Sequence, residues 1–236
     1  MTNEELAKQY RPDQRAIDAV SAVKILLLVG ISGAGKDTIQ TELLKREGYH
    51  RIITHTTRSP RANNGIMEQD GREYHFVSQE KMNELLQNHA FIEANQYGVN
   101  FYASSVQEFE IAKQANNVAI TNVDVHGVAA LHAIAPDAVM AIFLLPPDFD
   151  TWKQRLAVRY PSITAFTEAF AEREEIAAAE LEHALAAPYY YFMINDNIPL
   201  VTQIIDDMAQ GRMSSIPSDD EARGVARELL AAIKAS

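Results

Sequence analysis

Residues 23–38 read VKILLLVGISGAGKDT. The almost unbroken apolar run from Val23 to Val29 is the pattern of a strand buried on both faces. A glycine-rich turn follows, with Gly30, Gly33, Gly35 and Lys36 in the register G-x-x-x-x-G-K. Glycines let the backbone turn tightly enough for successive N–H groups to face one anion. The lysine reaches the terminal phosphates, and the next helix adds the positive end of its dipole. Gly30, Ser32, Gly33, Ala34, Gly35, Lys36, Asp37 and Thr38 are therefore the expected cradle of a nucleoside triphosphate. The residue after the lysine in such loops is Ser or Thr, whose hydroxyl touches Mg2+; here it is Asp37. An acid in the first helical turn suits the dipole, and its oxygens also suit Mg2+. Asp37 is thus the expected magnesium ligand, directly or through water.

The bulk properties narrow the class. The chain has 236 residues, 47% hydrophobic and 22% charged, enough for one full-sized soluble domain or for one domain plus appendages. A net charge of −11 argues against a nucleic-acid polymer as partner. There are no cysteines, so disulfides and thiolate metal sites are excluded. No apolar run approaches the roughly 20 residues that span a bilayer, and the polar start MTNEELAKQYRPDQ holds no signal core. The expectation is a cytoplasmic protein without a membrane partner.

Along the chain, residues 1–21 predict a short helix or arm, 36–47 a helix and 51–54 a short strand. A polar loop over 58–73 precedes YHFVS, a helix at 79–89 and FIEANQYGVNFY, which alternates like a small antiparallel sheet. Residues 105–115 predict a helix, VAITNVD a strand and 126–133 a helix. AVMAIFLLP (138–146) is a further buried strand. A helical region over 148–186 breaks near Tyr160–Pro161; YYYFMIND (189–196) is the last strand and 199–211 its closing helix, capped by Gly211. RMSSIPSDD is a linker, and an amphipathic helix ends the chain. Buried strands alternating with helices predict a parallel sheet covered on both sides, with ligands at the carboxyl ends of its strands.

The segment THTTRSPR (54–61) holds Arg58 and Arg61 three apart across a proline. Two guanidinium forks on a rigid turn suit a phosphate or carboxylate, although a solvated basic loop has the same composition. At this point the chain is similar to guanylate kinases, the P-loop enzymes that pass the γ-phosphoryl group of ATP to GMP. HTTRSPR, DGREYHFVS, AFIEANQYGVNFYASS, VDVHG, LPP, WKQRLAVR and MIND resemble that family's blocks, in its order, over most of residues 22–200.

The resemblance implies a P-loop NTPase core (22–53, 115–150 and 187–210), an inserted α+β GMP-binding subdomain (54–114) and a helical lid (151–186). Residues 1–21 and 211–236 would be appendages, either of which could serve self-association. Glu93 would read guanine N1–H and the N2 amine, Thr54 would offer its hydroxyl to O6, and Ser104 with Asp124 would complete the base pocket. Arg58, Arg61, Tyr74 and Tyr102 would clamp the GMP phosphate. Lys36, Arg58, Arg155, Arg159 and Arg173 would stabilise charge in transfer, with Asn195 on the ATP side. Taken singly, Tyr102 also fits a core position, Glu93 an exposed strand, and the lid arginines ordinary surface ion pairs. His55, His75 and His126 are expected to pack or cap.

Three departures stand out. Asp37 replaces the hydroxyl, Asn122 stands where relatives carry an acid, and Tyr160–Pro161 follows Arg159 where relatives have glycine. The expected function is Mg2+-dependent ATP:GMP (and dGMP) phosphotransfer in purine metabolism. The alternatives are a kinase for another nucleoside monophosphate and a non-catalytic protein-binding module of the same fold.

Overall fold

The structure, a computed structural model, describes residues 3–63, 66–213 and 217–236. The chain opens with α1 (Asn3–Gln9), α2 (Gln14–Ser21), β1 (Ile25–Val29), α3 (Lys36–Leu44) and β2 (Tyr49–Arg51). Short strands β3 (His55–Thr56), β4 (Ala62–Asn63), β5 (Ile66–Met67) and β6 (His75–Phe76) follow, then α4 (Gln79–Gln87). Next come β7 (Phe91–Tyr97), β8 (Asn100–Ser105), α5 (Val106–Gln114), β9 (Val118–Asn122), α6 (Val125–Ile134) and β10 (Val139–Leu145). The chain ends with α7 (Phe149–Ala157), α8 (Ile163–Ala186), β11 (Tyr190–Ile194), α9 (Ile198–Ala209) and α10 (Asp220–Ala235).

The five core strands follow the order β11-β10-β1-β9-β2, parallel where β10 meets β11 and β2 meets β9. This is the expected α/β architecture, and all five residues of β1 are buried. The chain divides into two compact units. One comprises Met1–Ile25, Gly48–Thr121 and Ala130–Val139; the other comprises Leu26–Glu47, Asn122–Ala129 and Met140–Ser236.

In the first unit, a four-stranded sheet of order β6-β3-β8-β7 has one face covered by helix. Phe91, Phe101 and Ala103 pack there with Met82 and Leu86 of α4 and Ala7 of α1. Because paired residues share a face, Ala94 joins Ala103 on that side, while Glu93 with Ser104 and Asn95 with Tyr102 face the other way. Among the described residues the N-terminal arm forms the two helices α1 and α2. Asp13 caps α2 by accepting Ala16 N–H at 2.8 Å, and the Tyr10 hydroxyl donates to Phe91 O at 2.7 Å and accepts Phe91 N–H at 3.0 Å. It thereby occupies the outward groups of an edge strand, a position that otherwise invites pairing with another chain.

The strand expected at 51–54 lies instead at Tyr49–Arg51. Ile52 N–H still reaches Ile120 O, but Ile53 N–H turns to the Glu108 carboxylate at 3.1 Å, and the ladder ends.

In the second unit, Phe143 packs on Tyr190 and Phe192, with ring centroids 5.9 and 5.1 Å apart. The expected break at Tyr160–Pro161 separates α7 from α8, and Ser162 caps α8 by accepting Ala165 N–H at 3.1 Å. Aromatic contacts Phe149–Trp152, Trp152–Phe170, Phe166–Phe170 and Tyr160–Phe166, all within 5.7 Å, join the two helices. Gln210 rather than Gly211 is the C-cap of α9; Gly211 follows it with φ +68°. Residues 214–216 of the expected linker lie outside the described residues. Its end is structural: Asp219 accepts Phe192 N–H at 3.1 Å and Arg223 donates to Tyr190 O at 2.7 Å, along β11 at the edge of the core sheet.

His55 packs in the first unit against His75 and Phe91, with ring centroids 4.6 and 5.4 Å away. Burial, reinforced by His75, lowers its pKa from 6.5 to about 4. The folded state thus favours the neutral ring, while the unfolded chain binds a proton near pH 6.5. This contribution to stability is complete above about pH 6.5 and is lost as pH falls towards about 4. The melting temperature of wild type should fall across that window, and His55→Gln should flatten the decline. Identical slopes for the two proteins, followed by circular dichroism, would remove His55 as the cause.

Candidate active site

The turn after β1 depends on backbone geometry that only glycine supplies. Gly30, Gly33 and Gly35 have φ of +131°, +89° and +95°. A Cβ on Gly30 would lie 2.2 Å from Leu144 O, and one on Gly35 would lie 2.3 Å from Asn195 Nδ2. The loop's carbonyl oxygens are engaged by side chains from later in the chain. Trp152 Nε1 donates to Ser32 O at 2.7 Å, Asn195 Nδ2 to Ala34 O at 2.8 Å, and Lys36 Nζ to Ile31 O at 3.3 Å and to Gly30 O. Helix α3 starts at Lys36 with no side chain capping it, so its first N–H groups remain available to an anion.

A cavity of about 180 Å3 opens on this loop, lined by Lys36, Asp37, Arg159, Arg173 and Glu180 among others. Burial lowers the Lys36 pKa, opposed by the charges of Glu180 and Asp37. Burial raises the Glu180 pKa, opposed by Lys36. Asp37 Oδ1 accepts the Asn122 amide at 2.7 Å, so two of the departures in sequence are one contact. Thr38 is exposed on the same helical turn.

Of the three arginines expected in the lid, only Arg159 bonds the loop itself. Arg155 donates to Asn195 O at 3.0 Å, Arg159 to Ser32 Oγ at 3.2 Å, and Arg173 Nε to the Tyr160 hydroxyl at 3.1 Å. Arg155 and Arg159 do not share a helix face, contrary to their i, i+4 spacing: α7 ends at Ala157 and Arg159 lies beyond it. Tyr160, where the sequence departs from its relatives, therefore holds an arginine. Asn195 is buried and braces the loop.

The other expected residues, apart from Asp124, lie in the first unit. Arg58 is only 8% exposed and forms a two-pronged pair with Glu68 at 2.9 and 3.0 Å. Its guanidinium also sits 5.1 Å from the centre of the Tyr74 ring, which meets Tyr102 edge-on at 5.9 Å. Arg61 N–H donates to Glu68 at 2.8 Å while its side chain is exposed. Glu93 sits opposite Ser104, next to a register shift, and accepts the Ser104 hydroxyl at 2.8 Å and the Asn95 amide. Thr54 precedes β3, and its carbonyl accepts His75 N–H at 3.0 Å. Asp124, in the second unit, caps α6 by accepting Gly127 N–H at 2.8 Å. His126 packs against His183, with ring centroids 5.8 Å apart.

The structure thus clusters Arg58, Tyr74 and Tyr102, pairs Glu93 with Ser104, and gathers Lys36, Asp37, Arg159 and Arg173 on one cavity. Glu68 and Glu180 belong to these clusters and do not stand out in the sequence. Glu180 lies seven residues after Arg173, two turns along one helix, and that spacing could have revealed it.

Comparison with known proteins agrees with this geometry. The family model described as guanylate kinase matches residues 22–210. The chain belongs to the guanylate kinase family. The guanylate kinase of Schizosaccharomyces pombe is 32% identical over 179 residues, covering 75% of this chain and 85% of that protein. That of Desulfitobacterium hafniense is 33% identical over 177 residues, covering 75% and 84%. A crystal structure of guanylate kinase from Anaplasma phagocytophilum superposes with a TM-score of 0.57 at 22% identity, covering 82% of this chain and 87% of that one, and shows the shared fold. Helices α1, α2 and α10 lie outside the span matched to guanylate kinase. Among the described residues no helix is long and apolar enough to cross a membrane, and no group of three or more His, Cys, Asp or Glu side chains could hold a metal alone.

The Asp37–Asn122 contact predicts coupling. Losses of ATP affinity in Asp37→Ser and Asn122→Asp should deviate from additivity in the double variant by at least about 0.5 kcal/mol, as expected for groups in contact. Strict additivity by calorimetry would mean that the two side chains act separately.

Proposed function

We propose that this chain transfers the γ-phosphoryl group of ATP to the phosphate of GMP, giving ADP and GDP. Family membership and the intact glycine turn support a triphosphate donor. The observation that carries the choice of acceptor is Glu93, a half-buried carboxylate fixed by Ser104 and Asn95 on the sheet face turned away from α4. A carboxylate accepts both the N1–H and the N2 amine of guanine; adenine offers no such pair of donors. A wrong base leaves the carboxylate unpaired, which is how a polar pocket rejects it.

On this reading Lys36 and the N–H groups of residues 30–38 hold the ATP phosphates, with Asn195 bracing the loop. Arg155, Arg159 and Arg173 in the lid (151–186) counter the charge of transfer. Thr54 and Ser104 complete the base pocket, and Arg58, Arg61, Tyr74 and Tyr102 grip the acceptor phosphate. Arg58 exchanges Glu68 for that phosphate, so the guanidinium is never buried without an anion. Phosphoryl transfer is largely positioning and electrostatics, and converging arginines suit it.

The family also implies Mg2+. The oxygen donors at hand are the Asp37 carboxylate and the Ser32 and Thr38 hydroxyls, a hard set that fits an ion taking its remaining ligands from phosphates and water. Asp37 would hold it, with Asn122 fixing the carboxylate's orientation. When bound, the ion would neutralise charge on the β- and γ-phosphates. A cytoplasmic nucleotide pool is the setting this chemistry suits.

ADP release with a panel of nucleoside monophosphates tests the proposal. Turnover should be confined to GMP and dGMP. Turnover with AMP, CMP or UMP in place of GMP would reassign the acceptor, and no turnover with any would make the chain a non-catalytic member of the fold.

A further inference from the structure

A carboxylate that phosphoryl transfer does not use lies within the first unit. Glu108, in the first turn of α5, is 5% exposed. An acid there complements the helix dipole, but three donors from two other segments also converge on it. His50 Nε2 of β2 lies 2.9 Å from one oxygen, which also accepts Ile53 N–H at 3.1 Å. His75 Nε2 of β6 lies 3.1 Å from the other. A carboxylate can only accept, so each imidazole presents an N–H to it. Burial alone would raise the Glu108 pKa, yet these hydrogen bonds bring it below the ordinary value, so the group is ionised at neutral pH.

Two of the three donors adjoin acceptor residues. Ile53 precedes Thr54, and His75 follows Tyr74. The two segments are also tied directly, His75 N–H to Thr54 O at 3.0 Å. Successive side chains along a strand alternate between faces. A bond to His75 from one side of the sheet therefore fixes the strand whose preceding residue, Tyr74, projects to the other. The Arg58 guanidinium rests on that Tyr74 ring. A shift of Tyr74 thus moves the phosphate-gripping cluster, and a shift at Ile53 moves Thr54.

We propose that Glu108 is a positioning residue for GMP: it sets the placement of Thr54 and Tyr74 from behind the sheet and so determines acceptor affinity. This rests on the assignment of Thr54 and Tyr74 to the GMP pocket. Glu108 is not among the residues that line the phosphate cavity of the second unit.

The test is steady-state kinetics of full-length Glu108→Gln, which keeps the side chain's volume and removes its charge. KM for GMP should rise about tenfold, the scale of one charge-assisted hydrogen bond. KM for ATP and kcat at saturation should stay within about twofold. His75→Leu, which removes a single donor, should raise KM for GMP by a smaller factor, and it provides the same readout if Glu108→Gln does not fold. A KM for GMP unchanged in a folded variant, or raised equally with KM for ATP, would overturn the proposal while leaving GMP kinase activity intact. Wild type without GMP turnover would overturn the functional reading and this inference with it.

Discussion

The glycine turn holds its shape because side chains far along the chain engage its carbonyl oxygens. Trp152 takes Ser32 O, Asn195 takes Ala34 O, and Lys36 folds back on Ile31 O. The N–H groups at the start of α3 have no side-chain cap, and an anion is the partner they suit. The constraint propagates outward. Trp152 also belongs to the aromatic chain that joins α7 to α8, and Asn195 receives Arg155 through its backbone. The residue whose side chain braces Ala34 therefore also holds Arg155. Gly30 and Gly35 admit no side chain because Leu144 and Asn195 press against them.

The residues proposed to hold the acceptor are prepared in a different way, by counter-charges within the protein. Arg58 is nearly buried yet is matched by Glu68, and Glu93 holds hydroxyl and amide donors that a base can replace. Each charged group is satisfied before substrate arrives, so binding exchanges one partner for another and avoids exposing a bare charge. Such exchange favours ligands that offer the same pattern of donors or acceptors. It is a physical basis for selectivity that does not depend on pocket volume.

Much of this was legible in sequence. The run into the glycine turn and the alternation over residues 91–102 placed β1, α3, β7 and β8, and the blocks of the resemblance contained the residues that the fold then clustered. What was hidden depends on long-range pairing. Strands β3, β4, β5 and β6 are two residues each, too short for periodicity to show. Glu68 meets Arg58 only because the β4–β5 hairpin brings it back. Glu108 resembles any acid in a first helical turn until the fold delivers His50, Ile53 and His75 to it. Arg159 lies four residues after Arg155, a spacing that would put both on one helix face, but the chain leaves α7 at Ala157.

The central claim is that the Glu93 carboxylate chooses the base through the guanine N1–H and N2 amine. Calorimetric binding of GMP and of IMP, which keeps N1–H and lacks the 2-amino group, tests it most directly when repeated on Glu93→Gln. Wild type should bind GMP at least about tenfold more tightly than IMP, the value of one hydrogen bond to a charged group, and the variant should lose most of that preference. Equal affinity of wild type for the two nucleotides, or a preference unchanged in Glu93→Gln, would contradict it.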